Sequence, residues 1–439
     1  MPDNPTGLKF IARALYSRNY RLFFAGQGVS LIGTWMQRIA TGWLVYRLTG
    51  SAFLLGMVGF AGQIPIFLLS PIAGVLADRW DRRLLIIVTQ TLSMLQAFIL
   101  TFLILTHTIA IWHIIFLSIF LGIVNSFDTP VRQAFVVEMI EKKEDLGNAI
   151  ALNSSIFNGA RLLGPSIAGI LIAAVGEGIC FLLNGISYIA VIFALVAMRI
   201  KSQKKPIRQT HVLHGLKEGF AYSFGFAPIR SILLLLGLVS LVGMPYAILM
   251  PVFAKDVLHG GPSILGFLMA ATGVGALVGA LYLASRRSPK GLEKIIALST
   301  TIFGVGLIVF SSSRQIWLSL PLMSLTGFGM MAQMASSNTI LQTITDDDKR
   351  GRVMSFYTMS FLGTAPFGSL LAGGLASKIG TPQTLLLGGV CCILGAFLFT
   401  RQLSTLRETI AQAFTRKDGV LEVRRGIQGA TELTTPPKD

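Results

Sequence analysis

Four ionic side chains stand inside long apolar stretches of this sequence: Arg38, Asp128, Arg132 and Arg161. Asp128 precedes Arg132 by four residues, so the two side chains can meet on one face of a helix. Desolvation favours a neutral carboxyl group and a nearby cation favours the ionised one, and a proton carrier needs such a balance. Asp128 with Arg132 is therefore the proton-coupling candidate, while simple neutralisation of Arg132 by Asp128 remains the alternative.

Polar residues accompany the other two arginines at helical spacing. Between Gln27 and Thr41 they recur at steps of three and four beside Arg38, and Asn158 precedes Arg161 by three residues. Such a face avoids acyl chains, so it hydrogen-bonds to neighbouring helices or lines a water-filled cavity; two glutamines with an arginine favour the cavity. The cavity and substrate candidates are Gln27, Thr34, Gln37, Arg38, Asn125, Asn158, Arg161, Tyr246, Gln333, Asn338 and Tyr357.

The charges inside the apolar stretches do not balance. Three arginines against one aspartate leave an excess of about two positive charges, which favours an amphipathic anion as cargo. Four methionines lie in or near one later apolar stretch, and they suit either a cavity for varied cargo or ordinary core packing: Met323, Met330, Met331 and Met334.

The composition places these residues in a membrane. The chain has 439 residues, of which 53% are hydrophobic and 13% charged, and its mean hydropathy is +0.68. A soluble core cannot hide so much apolar surface, and a helical span needs about 20 apolar residues. The predicted spans are twelve: 21–46, 53–77, 84–106, 111–137, 147–174, 179–198, 230–254, 263–284, 292–311, 316–343, 351–376 and 382–400.

The net charge of +17 does not indicate nucleic-acid binding, because topology explains where the basic residues stand. Lys and Arg concentrate in alternate loops and near both ends, whereas the opposite loops hold only Arg47, Lys255, Arg314 and Lys378. The positive-inside rule then predicts that both termini are cytoplasmic. The basic loops would also contact anionic lipid headgroups.

One glycine-rich stretch occurs twice. Residues 147–171 align with residues 351–375 at an offset of 204 positions, with seven identities, five of them Gly or Ala. Small residues at helical spacing let membrane helices approach closely, and the duplication predicts two related halves. The predicted division is a cytoplasmic N-terminus (1–20), a six-helix bundle (21–199), a cytoplasmic linker with an amphipathic helix (200–229), a second six-helix bundle (230–401) and a cytoplasmic tail (402–439).

A short charged loop follows the second span and reads Gly74-Val-Leu-Ala-Asp78-Arg79-Trp-Asp81-Arg82-Arg83. It resembles the signature G-x-L-x-D-R-x-G-R-[RK] of the major facilitator superfamily, with Asp81 in place of the usual glycine. The resemblance implies a cytoplasmic charge relay that latches the outward-facing state against the start of the eleventh span, where a helix N-terminus attracts carboxylate charge. A solvated loop is the alternative. The relay candidates are Gly74, Asp78, Arg79, Arg82, Arg83 and, at the end of the fourth span, Glu138.

The fifth span contains Gly164-Pro165-Ser-Ile-Ala168-Gly169, which is similar to the G-P-x-x-G-G antiporter motif of facilitator drug exporters, with Ala168 replacing one glycine. Gly164, Pro165 and Gly169 predict a bendable, closely packed helix that could seal a periplasmic gate. Shorter runs resemble the branch that contains the enterobactin exporter and macrolide efflux proteins, namely Trp35-Met-Gln, Asp128-x-Pro-x-Arg-Gln and Phe181-Leu-Leu-Asn184. That resemblance implies proton-driven export from a bacterial cytoplasm.

Other functions lack a motif. No histidine stands in an H-x4-D pattern, and no G-x4-G-K-[ST] loop would support an ATP-driven pump. Cys180, Cys391 and Cys392 fall inside predicted spans and form neither a disulfide framework nor a metal-binding spacing. The first twenty residues contain no short apolar core with a small-residue cleavage site, so no removable signal peptide is expected. We therefore predict that the protein is not an enzyme and uses no metal and no cofactor.

Together these features predict an all-α membrane protein of the major facilitator fold, with twelve transmembrane helices in two pseudo-symmetric six-helix bundles. The predicted function is proton-coupled export of an amphipathic small molecule, a drug or a siderophore, by alternating access in the bacterial cytoplasmic (inner) membrane. Its partners would be the substrate, protons and membrane lipids, and it would act as a monomer. A lipid or lysophospholipid flippase and a non-transporting membrane sensor of the same fold remain alternatives.

Overall fold

The computed structural model describes residues 13–77, 80–199, 212–286, 291–346 and 349–409, and their regular structure is helical. Thirteen helices, numbered here in chain order, form the body of the protein. They are α1 (Arg18–Thr49), α2 (Ala52–Ala77), α3 (Arg82–Leu105), α4 (Ile111–Met139), α5 (Leu146–Val175), α6 (Glu177–Ala197), α7 (Val212–Gly225), α8 (Ala227–Val257), α9 (Pro262–Ala284), α10 (Leu292–Ser312), α11 (Ile316–Ile344), α12 (Arg350–Ile379) and α13 (Thr381–Thr400).

Twelve of these helices carry the twelve predicted spans, which confirms the predicted fold class. Ten are long and apolar enough to cross a membrane, whereas α1 and α11 are more polar. Polar groups at membrane depth need protein or water around them, so α1 and α11 belong in the interior of the bundle. The shorter helix α7 lies in the predicted linker; positions 200–211 of that linker and 410–439 of the predicted tail lie outside the described residues.

The same pattern of helix pairs occurs on both sides of α7. In each set of six, the first helix packs against the fifth and sixth, the third against the fourth and sixth, and the second against the fourth. The two sets meet where the second helix of one packs against the fifth of the other, as α2 with α12 and α5 with α9. We call α1–α6 the first half and α8–α13 the second half.

Four glycines make these two seams between the halves close. A Cβ atom placed on Gly169 of α5 would lie 2.9 Å from the Cα of Gly266 in α9, and one on Gly373 of α12 would lie 2.8 Å from the Cα of Gly56 in α2. Real Cβ atoms do not fit at such distances, so the backbones touch directly. Both seams lie toward the distal face of the bundle, which is opposite the terminal face where α1 begins and α13 ends.

Toward the terminal face the halves separate. Helices α5 and α12 carry exposed residues near their terminal-face ends, on the same helix faces as Gly169 and Gly373. These residues are Ala151, Ser154, Ser155, Ser355, Thr358 and Met359. The structure is therefore closed between the halves at the distal face and open between them at the terminal face.

Candidate functional site

Trp35 of α1 stands at the centre of a cluster that contains two of the intramembrane arginines. The Cζ of Arg38 lies 5.0 Å from the centroid of the Trp35 ring, and the Cζ of Arg161 on α5 lies 5.9 Å from it. Phe157, one turn before Arg161, meets the indole edge-on at 5.8 Å between centroids. Arg161 Nη2 also donates to Met330 Sδ of α11 at 3.7 Å. We call Trp35, Arg38, Phe157, Arg161 and Met330 the Trp35 cluster.

The cluster lies in the space between the halves, because Met330 belongs to the second half and the other four residues to the first. Arg38 and Thr34 are exposed although they stand in the middle of α1 between buried residues such as Gln37 and Ile39. Both side chains are therefore accessible from the central space.

The two guanidinium groups carry uncompensated charge. In the described part of the chain no carboxylate oxygen lies within 4.0 Å of Arg38 or Arg161. Their main partner is the face of Trp35, and a cation over an aromatic ring gains about 0.5–2 kcal/mol, less than a paired carboxylate offers. The cluster can therefore hold an anion at the guanidinium groups and an apolar body against the two rings, with the flexible Met330 side chain adapting to its shape.

The rest of the polar stripe of α1 turns away from this space. Gln37 is 5% exposed, donates to Gln96 Oε1 of α3 at 2.9 Å and accepts from Asn184 Nδ2 of α6 at 2.5 Å. Gln27 is buried as well, and its Oε1 has no hydrogen-bond partner among the described residues. Gln37 thus joins three helices of the first half, whereas Thr34 and Arg38 are exposed to the central space.

Asp128 is buried beside Arg132 and fully hydrogen-bonded. Arg132 Nη2 lies 2.8 Å from Asp128 Oδ2, while Thr89 Oγ1 at 2.8 Å and Gln90 Nε2 at 2.9 Å donate to Oδ1. The side chain of Asp128 is 3% exposed and that of Arg132 is 25% exposed. All these groups belong to α3 and α4, so the ion pair lies within the first half; Asn125, one turn earlier, is half-buried. Whether Asp128 carries a proton stays a prediction.

The remaining cavity candidates lie outside the Trp35 cluster. Asn158 is half-buried and donates to Ser154 O at 2.9 Å. In the second half Tyr246 is buried, with its ring centroid 6.1 Å from that of Phe303, and Tyr357 OH donates to Met334 O at 3.2 Å. Gln333 is 2% exposed, and Asn338 Oδ1 accepts from Gln342 Nε2 at 2.5 Å.

The sequence analysis did not predict that Trp35 and Phe157 contact Arg38 and Arg161. A signal for them exists, since an aromatic residue stands one helical turn before each arginine, Trp35 before Arg38 and Phe157 before Arg161. That the two turns face each other depends on the rotation of α1 against α5, which a single sequence does not encode.

Charged residues at the terminal face tie helix ends together. Arg82 Nη1 lies 2.8 Å from Glu138 Oε1, which joins α3 to the end of α4. Arg83 donates to the carbonyl oxygens of Leu195 and Val196 at 2.8 Å each, at the end of α6. Asp81, which departs from the glycine of the signature, caps α3 by accepting from Leu84 N at 2.9 Å. Gly74 lies in α2, and Asp78 and Arg79 lie outside the described residues, so the charge relay remains a prediction.

The antiporter-like motif contacts both the Trp35 cluster and a seam. A Cβ atom on Gly164 would lie 2.5 Å from Trp35 Cβ, so this glycine lets α5 pack directly behind the indole. Five residues later Gly169 forms the α5–α9 seam, and a Cβ on Gly266 would lie 2.6 Å from Pro165 O. The motif therefore links the position of Trp35 to closure at the distal face.

A second cavity, of about 500 Å³, opens at the distal face and is separate from the Trp35 cluster. Trp43, His107 and Pro262 contribute to its wall, together with Arg47 and Glu177, whose Nε and Oε1 atoms lie 2.7 Å apart. This internal ion pair leaves the distal cavity with balanced charge, unlike the central space.

Comparison with known proteins agrees with this architecture. Residues 13–422 match the model of a family described as transmembrane secretion effector. The staphyloferrin A transporter of Staphylococcus aureus is 29% identical, over 86% of this chain and 95% of its own. The multidrug efflux pump Tap of Mycolicibacterium fortuitum is 27% identical (82% and 88%), and macrolide efflux protein A of Streptococcus pyogenes is 24% identical (85% and 94%).

Solved structures share the fold at low sequence identity. A bacterial homologue of the human lysosomal transporter Spinster, in an inward-facing and unoccupied conformation, has a TM-score of 0.69 and 13% identity, covering 93% of this chain and 99% of that one. A mutant of the peptide transporter POT has a TM-score of 0.72 and 11% identity, covering 91% and 99%. The chain belongs to the transmembrane secretion effector family of the major facilitator superfamily, and is accordingly an integral membrane transporter and not an enzyme.

Proposed function

We propose that this transporter exports an amphipathic anion from the bacterial cytoplasm by alternating access, and that a proton gradient drives the export. The observation that carries the proposal is the pair of guanidinium groups around Trp35, which have no carboxylate partner in the described residues. A carboxylate or phosphate bound there would form charge-assisted hydrogen bonds, each worth about 1.5–3 kcal/mol. The apolar part of the same molecule would cover Trp35 and Phe157.

The state of the bundle supports entry from the terminal face. Helix α1 begins and α13 ends at that face, and the loops rich in Lys and Arg belong to it, so by the positive-inside rule it would be the cytoplasmic face. With that orientation, a central space that is open toward this face and closed at the distal one would be an inward-facing state. Substrate would reach Arg38 and Arg161 from the cytoplasm and leave after the distal seams open.

Proton coupling would take place at Asp128. Its carboxylate is buried in the first half, away from the Trp35 cluster, and holds Arg132. Protonation of Asp128 would release Arg132 and leave a third cation beside the central space. In the terminal-face relay, Asp78, Arg82 and Glu138 would hold the opposite, outward-facing state.

The named relatives support small-molecule export as the general role. One is a transporter of staphyloferrin A and two are efflux proteins for drugs, and each is similar over most of both chains. A single chain encloses the whole central space, so we propose that the monomer is the transporting unit.

The test is transport by purified protein in proteoliposomes with an imposed pH gradient. We would compare 1-pyrenebutyrate with its neutral counterpart 1-pyrenebutanol, which has nearly the same shape. The proposal expects saturable, gradient-dependent flux of the carboxylate and none of the alcohol above the rate of empty liposomes.

Other outcomes identify the alternatives. Equal protein-dependent flux of both probes would contradict anion selectivity. Inhibition by added lysophospholipid together with movement of labelled lipid would favour a flippase, and a complete absence of flux for a broad set of anions would favour a sensor.

A further inference from the structure

A polar contact joins the two halves at the distal face. The hydroxyl of Tyr46, near the end of α1, donates to Asp256 Oδ2 near the end of α8. Lys255 Nζ lies 5.4 Å from the centroid of the Tyr46 ring. Tyr46 is 5% exposed, whereas Lys255 and Asp256 are exposed at the distal surface. Asp256 lies in a π-turn, Phe253–Val257, which ends α8.

The two residues occupy equivalent places in the halves. An offset of 210 positions takes Gly56 to Gly266, the glycines that contact Gly373 and Gly169 at the two seams. The same offset takes Tyr46 to Asp256. It also matches Leu48 with Leu258, Gly50 with Gly260 and Leu55 with Leu265. Both residues thus stand near the distal end of the helix that begins each half, between the two seams.

We infer that the Tyr46–Asp256 hydrogen bond is a latch that holds the distal face closed, and that it acts in the transport cycle without touching substrate. The seams themselves are contacts between glycine backbones, which are close but carry no charge. A phenol bound to a carboxylate forms a stronger bond than two neutral groups do, and it requires one specific alignment of α1 with α8. Opening the distal face must break it, because its two ends belong to different halves.

The latch differs from the proton candidate. Thr89, Gln90 and Arg132, which bind Asp128, all belong to the first half, so this ion pair can persist when the halves move. The Tyr46–Asp256 bond instead exists in one state of the cycle and not in the other. The inference rests on the alternating access of the proposed function, but a conformational measurement tests it independently of flux.

The experiment measures the distance between the halves at the distal face by double electron–electron resonance in nanodiscs. Spin labels would stand at Thr108→Cys and Gln315→Cys, two exposed positions in distal loops of opposite halves. The background would replace Cys180, Cys391 and Cys392 by Ala. We would compare the chain without further change with Tyr46→Phe and Asp256→Asn, which remove the donor and the charge of the acceptor.

We expect each variant to raise the ratio of the long-distance population to the short-distance one about tenfold, the effect of losing one charge-assisted hydrogen bond. Tyr282→Phe and Glu141→Gln are the matched controls, since Tyr282 and Glu141 lie toward the terminal face and should leave the distances unchanged. Melting temperatures of the variants within a few degrees of the parent, measured alongside, show that the fold is intact.

Unchanged distance distributions in both Tyr46→Phe and Asp256→Asn would overturn the latch. If the parent itself shows only the short distance at both acidic and alkaline pH and with saturating 1-pyrenebutyrate, alternating access fails rather than the latch alone. A shift in the variants of a protein that transports neither probe would uphold the latch and contradict the proposed cargo.

Discussion

Helices α4 and α11 are counterparts in the two halves, and they show how packing and chemistry have separated. An offset of 205 positions takes Gly122 to Gly327, and a Cβ atom on either would collide with a carbonyl oxygen at equivalent places, Gly62 and Thr272. The backbone contact is thus repeated. The same offset takes Asp128 to Gln333 and Arg132 to Ser337, so the ion pair of α4 becomes a neutral pair in α11.

The surroundings of the two pairs differ as well. Asp128 accepts three hydrogen bonds, whereas Gln333 Nε2 and Ser337 Oγ are buried with no partner among the described residues. The arginines of the Trp35 cluster also have uncharged counterparts in the second half, since Arg38 corresponds to Ile248 and Arg161 to Ala365. Close backbone contacts between small residues thus recur in both halves. The intramembrane charges Arg38, Asp128, Arg132 and Arg161 belong to the first half, and their counterparts in the second half are neutral.

The largest expected effect comes from making the first half neutral at the Trp35 cluster. Arg38→Gln combined with Arg161→Gln should lower the transport rate of 1-pyrenebutyrate at low concentration by about 100-fold, because two charge-assisted hydrogen bonds are lost. Flux in proteoliposomes measures it. Arg230→Gln is the control for the loss of an arginine outside the cluster, since Arg230 is exposed at the start of α8, and this variant should transport normally. A reduction of less than threefold in the double variant would contradict the assignment.

The second prediction replaces the ion pair of α4 by the neutral pair that α11 carries. Asp128→Gln alone should destabilise the protein by about 1–3 kcal/mol, because it leaves the half-buried Arg132 without its charged partner. Adding Arg132→Ser should restore the melting temperature but leave transport insensitive to the pH gradient. If the double variant responds to the gradient as the parent does, the pair is structural and Asp128 does not carry the proton.

The third prediction tests whether the seams are equivalent. Gly169→Ala and Gly373→Ala should each destabilise the closed distal face by about 1–3 kcal/mol through overpacking, and by similar amounts. Gly159→Ala and Gly374→Ala serve as controls, since a Cβ at either meets no atom within 4 Å. Distal distances between spin labels measure the effect. A large effect in one seam only would show that the halves do not share the closing motion.

The smallest expected effect concerns the start of the third helix in each half. Asp81 caps α3 through its side chain, whereas its counterpart Gly291 begins α10 with a positive φ of 84° and no side-chain cap. Asp81→Ala should cost about 1 kcal/mol of stability, the usual value of an N-cap. Thermal unfolding in detergent measures it, with Glu141→Gln as a control at the same face. No change in melting temperature would mean that the loop between α2 and α3 holds α3 without the cap.

The sequence alone predicts the fold because hydrocarbon leaves few alternatives. Long apolar segments must be helices, and the repeat around Gly169 and Gly373 indicates two halves. The Asp128–Arg132 contact is also predictable, since four residues separate the partners on one helix. Contacts between helices were not predictable. Gln37 and Arg38 are neighbours in the chain, yet Gln37 bonds to α3 and α6 while Arg38 meets Trp35, because the rotation of α1 decides which side each one faces.

Binding at Trp35 is the most direct test of the account. A variant with Trp35 as its single tryptophan would report on the cluster by its fluorescence. It would carry the substitutions Trp43→Phe, Trp80→Phe, Trp112→Phe and Trp317→Phe. We predict that 1-pyrenebutyrate quenches the Trp35 fluorescence in a saturable manner and that 1-pyrenebutanol causes no saturable quenching. The saturable quenching by 1-pyrenebutyrate should disappear when Arg38→Gln and Arg161→Gln are combined. Equal quenching by both probes, or saturable quenching that survives removal of both arginines, would contradict an anion site in the first half.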